Sequence, residues 1–375
     1  MRVLICPDKF AGTLSAPAVA EAVATGWRRH APDDTLTPRP LSDGGPGFVE
    51  VLAGPVGGRR IPVTTTDPLG RPAQAQVLLS ADGQTAYVES AQACGLHLLS
   101  AAERDPKATT SYGLGLLVLA AVEAGARTVV IGLGGSATND AGAGMLAALG
   151  AAPLDEHGQA LPYGGAALAH AAALGGVPMT RGAALVAATD VDNPLVGLHG
   201  ASNVYGPQKG ASREDVLLLD AALERFAGVL EKGLATCPPG LAQLPGGGAA
   251  GGLGAAVLAL GGRCESGIGL VTRMIGLEAA LDAADLVITG EGSFDHQSLR
   301  GKVVAGVAGG ARDRGVPCVV VAGRVSAGRR EAANAGVTET HSLVDHFGSE
   351  AEAMARPADG LTEIAEKLAR QWSRQ

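Results

Sequence analysis

The chain is 375 residues long, 46% hydrophobic and only 3% aromatic, with a formal net charge of −8. That content excludes a disordered chain, and the lack of a Gly-X-Y period among its 56 glycines excludes collagen. An acidic chain with few aromatics offers nucleic acid neither a general attraction nor a stacking platform, so no nucleic-acid partner is expected.

Residues 3–6 (VLIC) form a short apolar run that predicts a buried strand ending at Pro7-Asp8-Lys9. Ser15 then caps a predicted helix over 16–29, with Val19, Ala20, Val23 and Trp27 at helical spacing. A second strand, 35–41, closes on Ser42-Asp43-Gly44-Gly45. From there the texture changes. Segments 61–66, 75–79 and 85–89 alternate in period two between DPLGRP and SADGQ turns, which reads as an antiparallel meander. A helix near 113–124, a strand at 128–131, a helix at 141–149 and a strand at 184–189 follow, and the run PGGGAAGGLG (245–254) leads into another helix. The tail returns to alternation: strands at 285–289, 318–322 and 341–344, helices at 302–314, 329–335 and 361–372. Strands alternating with helices imply right-handed βαβ units and a parallel, doubly wound sheet. Two N-terminal and three C-terminal strands would make one five-stranded layer. The expected domains are therefore 1–55 with 285–375, and an inserted mixed α/β domain at 56–284, with the active site in the cleft between them.

The five cysteines are scattered and form no CxxC pair, as expected of reduced thiols in a cytoplasmic protein. The opening MRVLICPDKF is too short an apolar run for a signal peptide or a membrane span, so no membrane partner is expected.

In open parallel sheets ligands bind at the carboxyl ends of the strands. Here those ends carry Asp8, Asp43, Asn139 with Asp140, Asp190 with Asp192, and Glu291. A single Asp in such a loop is usually a cap or an Asx-turn; five acidic ends are harder to explain that way. The group Asp190-x-Asp192-Asn193 could hold Mg²⁺ through one or two carboxylates and leave positions for phosphate oxygens. The stretch TGEGSFDHQSLRGK (289–302) leaves a strand for a helix, with glycines that free backbone N–H groups, a capping Ser298 and a point charge at Lys302. It is not a P-loop, because the earlier glycine is missing and Val303 follows Lys302. Of the six lysines, Lys9, Lys209 and Lys302 lie in glycine- or aspartate-flanked loops, where a compact ammonium suits a moving phosphate. A rival reading rests on Gly132, Gly134 and Ala137, which fit the G-x-G-x-x-A dinucleotide fingerprint of an NAD(P)-dependent dehydrogenase of a small hydroxy acid. It needs an acidic strand end downstream, and Asp155 lies instead in a turn-like Pro-Leu-Asp-Glu-His-Gly context.

Taken together, PDKFAGTLSA (7–16), LSDGG (41–45), DPLGRP (67–72), GLGGSATNDAGAGM (132–145), DVDNPLVG with GPQKGA (190–211), PGGGAAGGLG (245–254) and TGEGSFDHQS with GK (289–302) resemble the bacterial glycerate kinases of the first class, in that family's order. The resemblance implies two intertwined α/β domains, one flavodoxin-like, and transfer of the ATP γ-phosphoryl group to a hydroxyl of D-glycerate with Mg²⁺. It leaves the possible homo-oligomer open. Positions inside matching motifs are Lys9, Asp43, Asn139, Asp140, Asp190, Asn193, Glu291, Asp295 and Lys302. On physical grounds the expected roles are Mg²⁺ on Asp190 with Asp192, Lys9 and Lys302 steadying the transferring group, and Asp43 or Asp140 orienting or deprotonating the hydroxyl. Arg71, Ser136, Thr138, Asn139, Asp140 and Asn193 are expected at glycerate, with Arg71 as a carboxylate clamp. Gly290, Glu291, Gly292, Asp295, Ser298 and Lys209 are expected at the nucleotide. The chain departs from the family pattern at Pro46, Phe48, Leu116 and Val304.

Overall fold

The computed structural model describes residues 1–299 and 303–373. In chain order the strands begin with β1 (Arg2–Ile5), β2 (Thr35–Pro38), β3 (Arg59–Thr66), β4 (Pro72–Leu79) and β5 (Thr85–Glu89). They continue with β6 (Thr128–Gly132), β7 (Ala152–Leu154), β8 (Ala173–Gly175), β9 (Ala184–Ala188) and β10 (Arg263–Glu265), then β11 (Leu286–Phe294), β12 (Cys318–Val325) and β13 (Glu339–Ser342). The chain divides into two compact units, one of Met1–Asp43, Glu50–Leu52 and Ile268–Gln375, the other of Gly44–Val49 and Ala53–Gly267.

The first unit is built on a sheet ordered β2-β1-β11-β12-β13, parallel at each pairing, with Val3 opposite both Leu36 and Leu286. This is the expected layer of two N-terminal and three C-terminal strands. Its internal order, 2-1-3-4-5, is the flavodoxin-like doubly wound arrangement, which reverses direction between β1 and β11. Helix Ala16–His30 buries Val19, Val23 and Trp27 and packs against helix Pro357–Trp372, which buries Leu361, Ile364 and Leu368. Ser15 stands at the N-cap position in extended conformation, but its hydroxyl donates to Glu50 Oε1 (3.1 Å) instead of capping; Pro17 in the first turn supplies the start signal. Several elements differ in extent from expectation: the second strand stops at Pro38, β12 runs on to Val325 and the last helix starts at Pro357. β11 runs on through Gly290–Phe294, because these residues pair with β12 as far as Phe294 opposite Val325 despite their glycines. The strand expected at 341–344 ends at Ser342, whose hydroxyl accepts the Asp345 N–H (3.2 Å) and opens helix Leu343–Phe347.

The second unit holds a mixed sheet ordered β10-β9-β6-β5-β4-β3. β3, β4 and β5 form the antiparallel meander, and β5, β6, β9 and β10 are parallel. Its core gathers Val77, Val88, Leu117, Val129, Ile131 and Leu253. A further apolar cluster forms around helix Arg213–Gly233, through Leu223, Phe226 and Leu230 with Leu146 and Leu195. That helix lies outside the elements expected from sequence; Ser212 and Asp215 make a capping box at its start.

Candidate active site

In the first unit, the loops at the carboxyl ends of β1, β11, β12 and β13 border a cavity of about 500 Å³. It lies at the point where the strand order reverses, the place where open α/β sheets bind ligands, and its size falls in the range of small-molecule sites. Its charged rim comprises Asp8, Lys9, Glu291, Asp295, Arg324 and Glu350. Lys9 is fixed between two carboxylates, with Nζ 3.3 Å from Asp43 Oδ1 and 3.6 Å from Asp8 Oδ1. Burial opposes the Lys9 ammonium, but Asp43 and Asp8 outweigh it and hold its pKa above the ordinary value. Asp8 responds the other way: burial, helped by the like charge of Asp43, pushes its carboxyl up to about 6 against the pull of Lys9. In the sequence Asp8 is legible only as a strand-end carboxylate; its role comes from Lys9 and Asp43 beside it. Arg324, which carries no motif in the sequence, reaches Glu350 at 3.9 Å.

On the β11 side, Gly290 is buried within the strand, and Glu291 and Gly292 border the cavity. Asp295 Oδ1 accepts the N–H groups of Gln297 (2.7 Å) and Ser298 (3.2 Å). The buried Ser298 hydroxyl accepts the Asp295 N–H and donates to the Ser293 carbonyl, so the pair ties the turn to itself. Lys302 lies outside the described residues.

In the second unit, the loop after β6 carries Ser136, Thr138, Asn139 and Asp140, all buried. Asp140 is saturated: Oδ2 accepts from Ser111 N (2.9 Å), Ser111 Oγ (2.8 Å) and Gly144 N (3.2 Å), and Oδ1 from Gly142 N (3.1 Å). Burial raises its pKa, and those donors pull against it. Asn139 Nδ2 donates to Ser202 Oγ at 2.9 Å. Among the described residues, Thr138 Oγ1 and Asn139 Oδ1 are buried without a hydrogen-bond partner. Lys209, from the GPQKG loop, is fully buried, and its Nζ donates to the Thr138 carbonyl (2.7 Å) and Ser136 Oγ (3.0 Å). It stands behind the loop rather than on a surface open to a nucleotide.

The dinucleotide fingerprint meets packed neighbours. A Cβ on Gly132 would come within 2.8 Å of the Phe48 ring, and one on Gly134 within 2.5 Å of Gly45 Cα. These glycines let the 44–48 segment approach, so their smallness is used inside the protein. Glu89 holds that segment by accepting the N–H groups of Gly47 (3.1 Å) and Val49 (3.3 Å), a role not foreseen from sequence.

At the end of β9, Asp190 is exposed and accepts the Ser266 hydroxyl at 2.6 Å; Asp192 is exposed as well. Asn193 donates to the His199 carbonyl and accepts from the Tyr205 hydroxyl, which fixes the turn. Among the described residues no group of three or more His, Cys, Asp or Glu side chains could hold a metal ion. Arg71 is engaged by Asp67 (2.5 Å) and Glu103 (2.6 Å), so its guanidinium closes its own turn.

A doubly wound parallel sheet with a cavity at its switch point, joined in one chain to a mixed α/β unit with polar loops, is an α/β architecture of the kind that binds small molecules at its strand ends. The chain matches the glycerate kinase family model over residues 3–373. It is 40% identical to the glycerate 2-kinase of Escherichia coli (strain K12), covering 98% of this chain and 97% of that protein. It is also 40% identical to the glycerate kinase of Bacillus subtilis (strain 168), covering 96% of each. The crystal structure of a candidate glycerate kinase 2 from Salmonella typhimurium LT2 superposes with a TM-score of 0.81 at 39% identity, over 99% of this chain and 98% of that one. The chain belongs to the glycerate kinase family.

Proposed function

We propose that this chain transfers the γ-phosphoryl group of ATP to the 2-hydroxyl of D-glycerate, giving 2-phosphoglycerate and ADP. The observation that carries this reading is the family match across residues 3–373. The choice of the 2-hydroxyl is supported by the name of the Escherichia coli relative, a glycerate 2-kinase. Among the described residues no helix is long and apolar enough to cross a membrane, and a cytoplasmic location forms part of the proposal.

Phosphoryl transfer passes through a loose transition state that needs positioning and charge neutralisation more than covalent chemistry. In the first unit, the cavity at the β1/β11 switch point takes the donor. Lys9, clamped by Asp8 and Asp43, is a fixed point charge for the phosphate end, and Arg324 is a second cation on the same rim. Asp8, with its carboxyl near 6, is mostly ionised at neutral pH and a stronger proton acceptor than an ordinary Asp. It takes the proton of the attacking hydroxyl, and Asp43 holds Lys9 in place. Asp140, with both oxygens filled, acts as scaffold for its loop.

In the second unit, Thr138 Oγ1 and Asn139 Oδ1 are the unmatched polar atoms that the loop after β6 can offer a small polyhydroxy acid. Asp190 and Asp192 are exposed oxygen donors at short spacing, a set that suits a hard cation keeping positions for phosphate oxygens. These two would hold Mg²⁺, which when bound neutralises charge on the transferring group.

The test is ADP release with D-glycerate and ATP, with the product passed directly to enolase. Turnover by enolase without added phosphoglycerate mutase is expected. A need for the mutase overturns the 2-hydroxyl assignment. No ADP release with D-glycerate overturns the kinase reading, and a parallel NADH absorbance assay is expected to stay flat.

A further inference from the structure

The cavity in the first unit has apolar lining that phosphate chemistry does not explain. Besides its charged residues it is bordered by Phe10, Leu343, Val344, Ala353, Met354 and Pro357. They come from the loop after β1 and from the three helical segments that follow β13. Phe10, Leu343 and Ala353 are almost fully buried, so their placement is fixed by packing. Met354 is 55% exposed, a large apolar side chain left at the lip of a cavity on an otherwise acidic, alanine-rich helix, Glu350–Ala355.

Two glycines stand where the strands reach this lining. β11 and β12 present Gly292 and Gly323 at one register position, flanked by the pairs Glu291 with Ala322 and Ser293 with Arg324. A Cβ on Gly323 would meet the Gly292 carbonyl oxygen at 2.5 Å, and one on Gly292 would approach Ala11 N at 3.2 Å. Backbone already fills the Cβ direction at both glycines, so their smallness lets β11, β12 and the loop after β1 pack closely at the edge of the cavity. A cavity that joins this wall of apolar side chains to Lys9 and Arg324, each held by carboxylates, suits an apolar-faced ring carrying a polyanion.

We propose that this wall is the base site of the phosphoryl donor: a purine base lies against Leu343, Val344 and Met354, with its polyphosphate toward Lys9 and Arg324. The assignment rests on the kinase reading above for the identity of the donor. Met354 supplies an adaptable apolar edge that closes over the ring.

Photolabelling with 8-azidoadenosine triphosphate tests the location independently of turnover. The cross-linked peptide is expected to fall within 343–357, and excess ATP is expected to suppress the label. Label elsewhere, or label within 343–357 that ATP does not suppress, overturns the proposal. Met354→Glu provides the second arm; the position is exposed, so the variant folds. It is expected to raise KM for ATP about tenfold, with KM for D-glycerate and kcat unchanged. An unchanged KM for ATP overturns the assignment. If the wild-type chain releases no ADP with D-glycerate yet labels at 343–357 in competition with ATP, the acceptor reading falls and the base site stands.

Discussion

Lys209 sends its ammonium into the back of the loop after β6, 2.7 Å from the Thr138 carbonyl and 3.0 Å from Ser136 Oγ, with no access to solvent. Burial pushes its pKa down to about 7, against the attraction of Asp140 and Cys94. In the unfolded chain this lysine titrates at about 10.4. Between those values the unfolded chain keeps a proton that the folded chain has lost, so stability rises with pH through that window. The contribution approaches about 1.4 kcal/mol per pH unit. Urea unfolding at pH 7, 8 and 9 is expected to show this rise in the wild type and a flatter dependence in Lys209→Met. The same variant is expected to weaken kcat/KM for D-glycerate, since the loop loses the donor that ties it to GPQKG.

Asp140 is the opposite kind of buried group, a carboxylate met by four donors on two acceptor oxygens. Asparagine keeps the shape but replaces one acceptor by an NH₂ that faces N–H and O–H donors. Asp140→Asn is expected to destabilise the protein by about 3 kcal/mol, the scale of hydrogen bonds to a charged group. A lower urea midpoint with an unchanged m-value is the confirming measurement.

Gly251 shows how tightly the loop after β6 is seated. It lies at φ +72°, and a Cβ there would stand 1.9 Å from the Thr138 carbonyl oxygen, so the backbone itself would have to move. Gly12 has a comparable φ of +81° but open space around it. Gly12→Ala is therefore expected to cost about 1 kcal/mol, the conformational share alone. Gly251→Ala is expected to cost about 4 kcal/mol or to abolish soluble expression. Thermal melts of the two variants side by side separate backbone strain from collision.

The parallel layer was legible because its strands are unbroken apolar runs: Val3–Ile5 and Val319–Val321 bury nearly every side chain. The continuation of β11 through Gly290–Phe294 was not, because glycines read as loop until β12 is there to pair with them. Helix Arg213–Gly233 carried a readable signal in Ser212, Asp215 and the spacing of Leu219, Leu223, Phe226 and Leu230, and it bears no chemical motif to draw the eye. At the site, residue types in the loops were legible, but their engagement was not. Lys209 and Arg71 look like free cations in sequence, and only the tertiary partners Ser136, Thr138, Asp67 and Glu103 show that they are spent within the protein. Glu89 gave no signal at all, since its function is to hold the N–H groups of Gly47 and Val49 across the fold.

Asp190 and Asp192 are separable from the scaffold because both are exposed at the end of β9. Asp190→Asn keeps an acceptor for the Ser266 hydroxyl, so stability is expected to change by less than about 0.5 kcal/mol. The Mg²⁺ concentration for half-maximal turnover is expected to rise about tenfold, as removal of one of the two carboxylates proposed to hold it should require. Mg²⁺ titration at saturating substrates reads this directly, and an unchanged titration removes Asp190 from the metal site.

Asp8 gives the sharpest chemical prediction. Its carboxyl is pushed up to about 6, chiefly by burial and further by Asp43. A base must be deprotonated to act, so kcat is expected to climb as pH rises through about 6 and to level off above 7. Asp8→Asn keeps the size of the side chain but cannot accept the proton, and kcat is expected to fall by about 10² to 10⁴. Loss of the carboxylate beside Lys9 also changes the charge at the phosphate end, so KM for ATP distinguishes the two effects. A fall in kcat with KM for ATP nearly constant, together with disappearance of the acid limb, marks proton transfer. A change confined to KM for ATP, with the limb retained, would assign Asp8 to holding Lys9 and move the base to Asp43, which flanks the same ammonium at 3.3 Å.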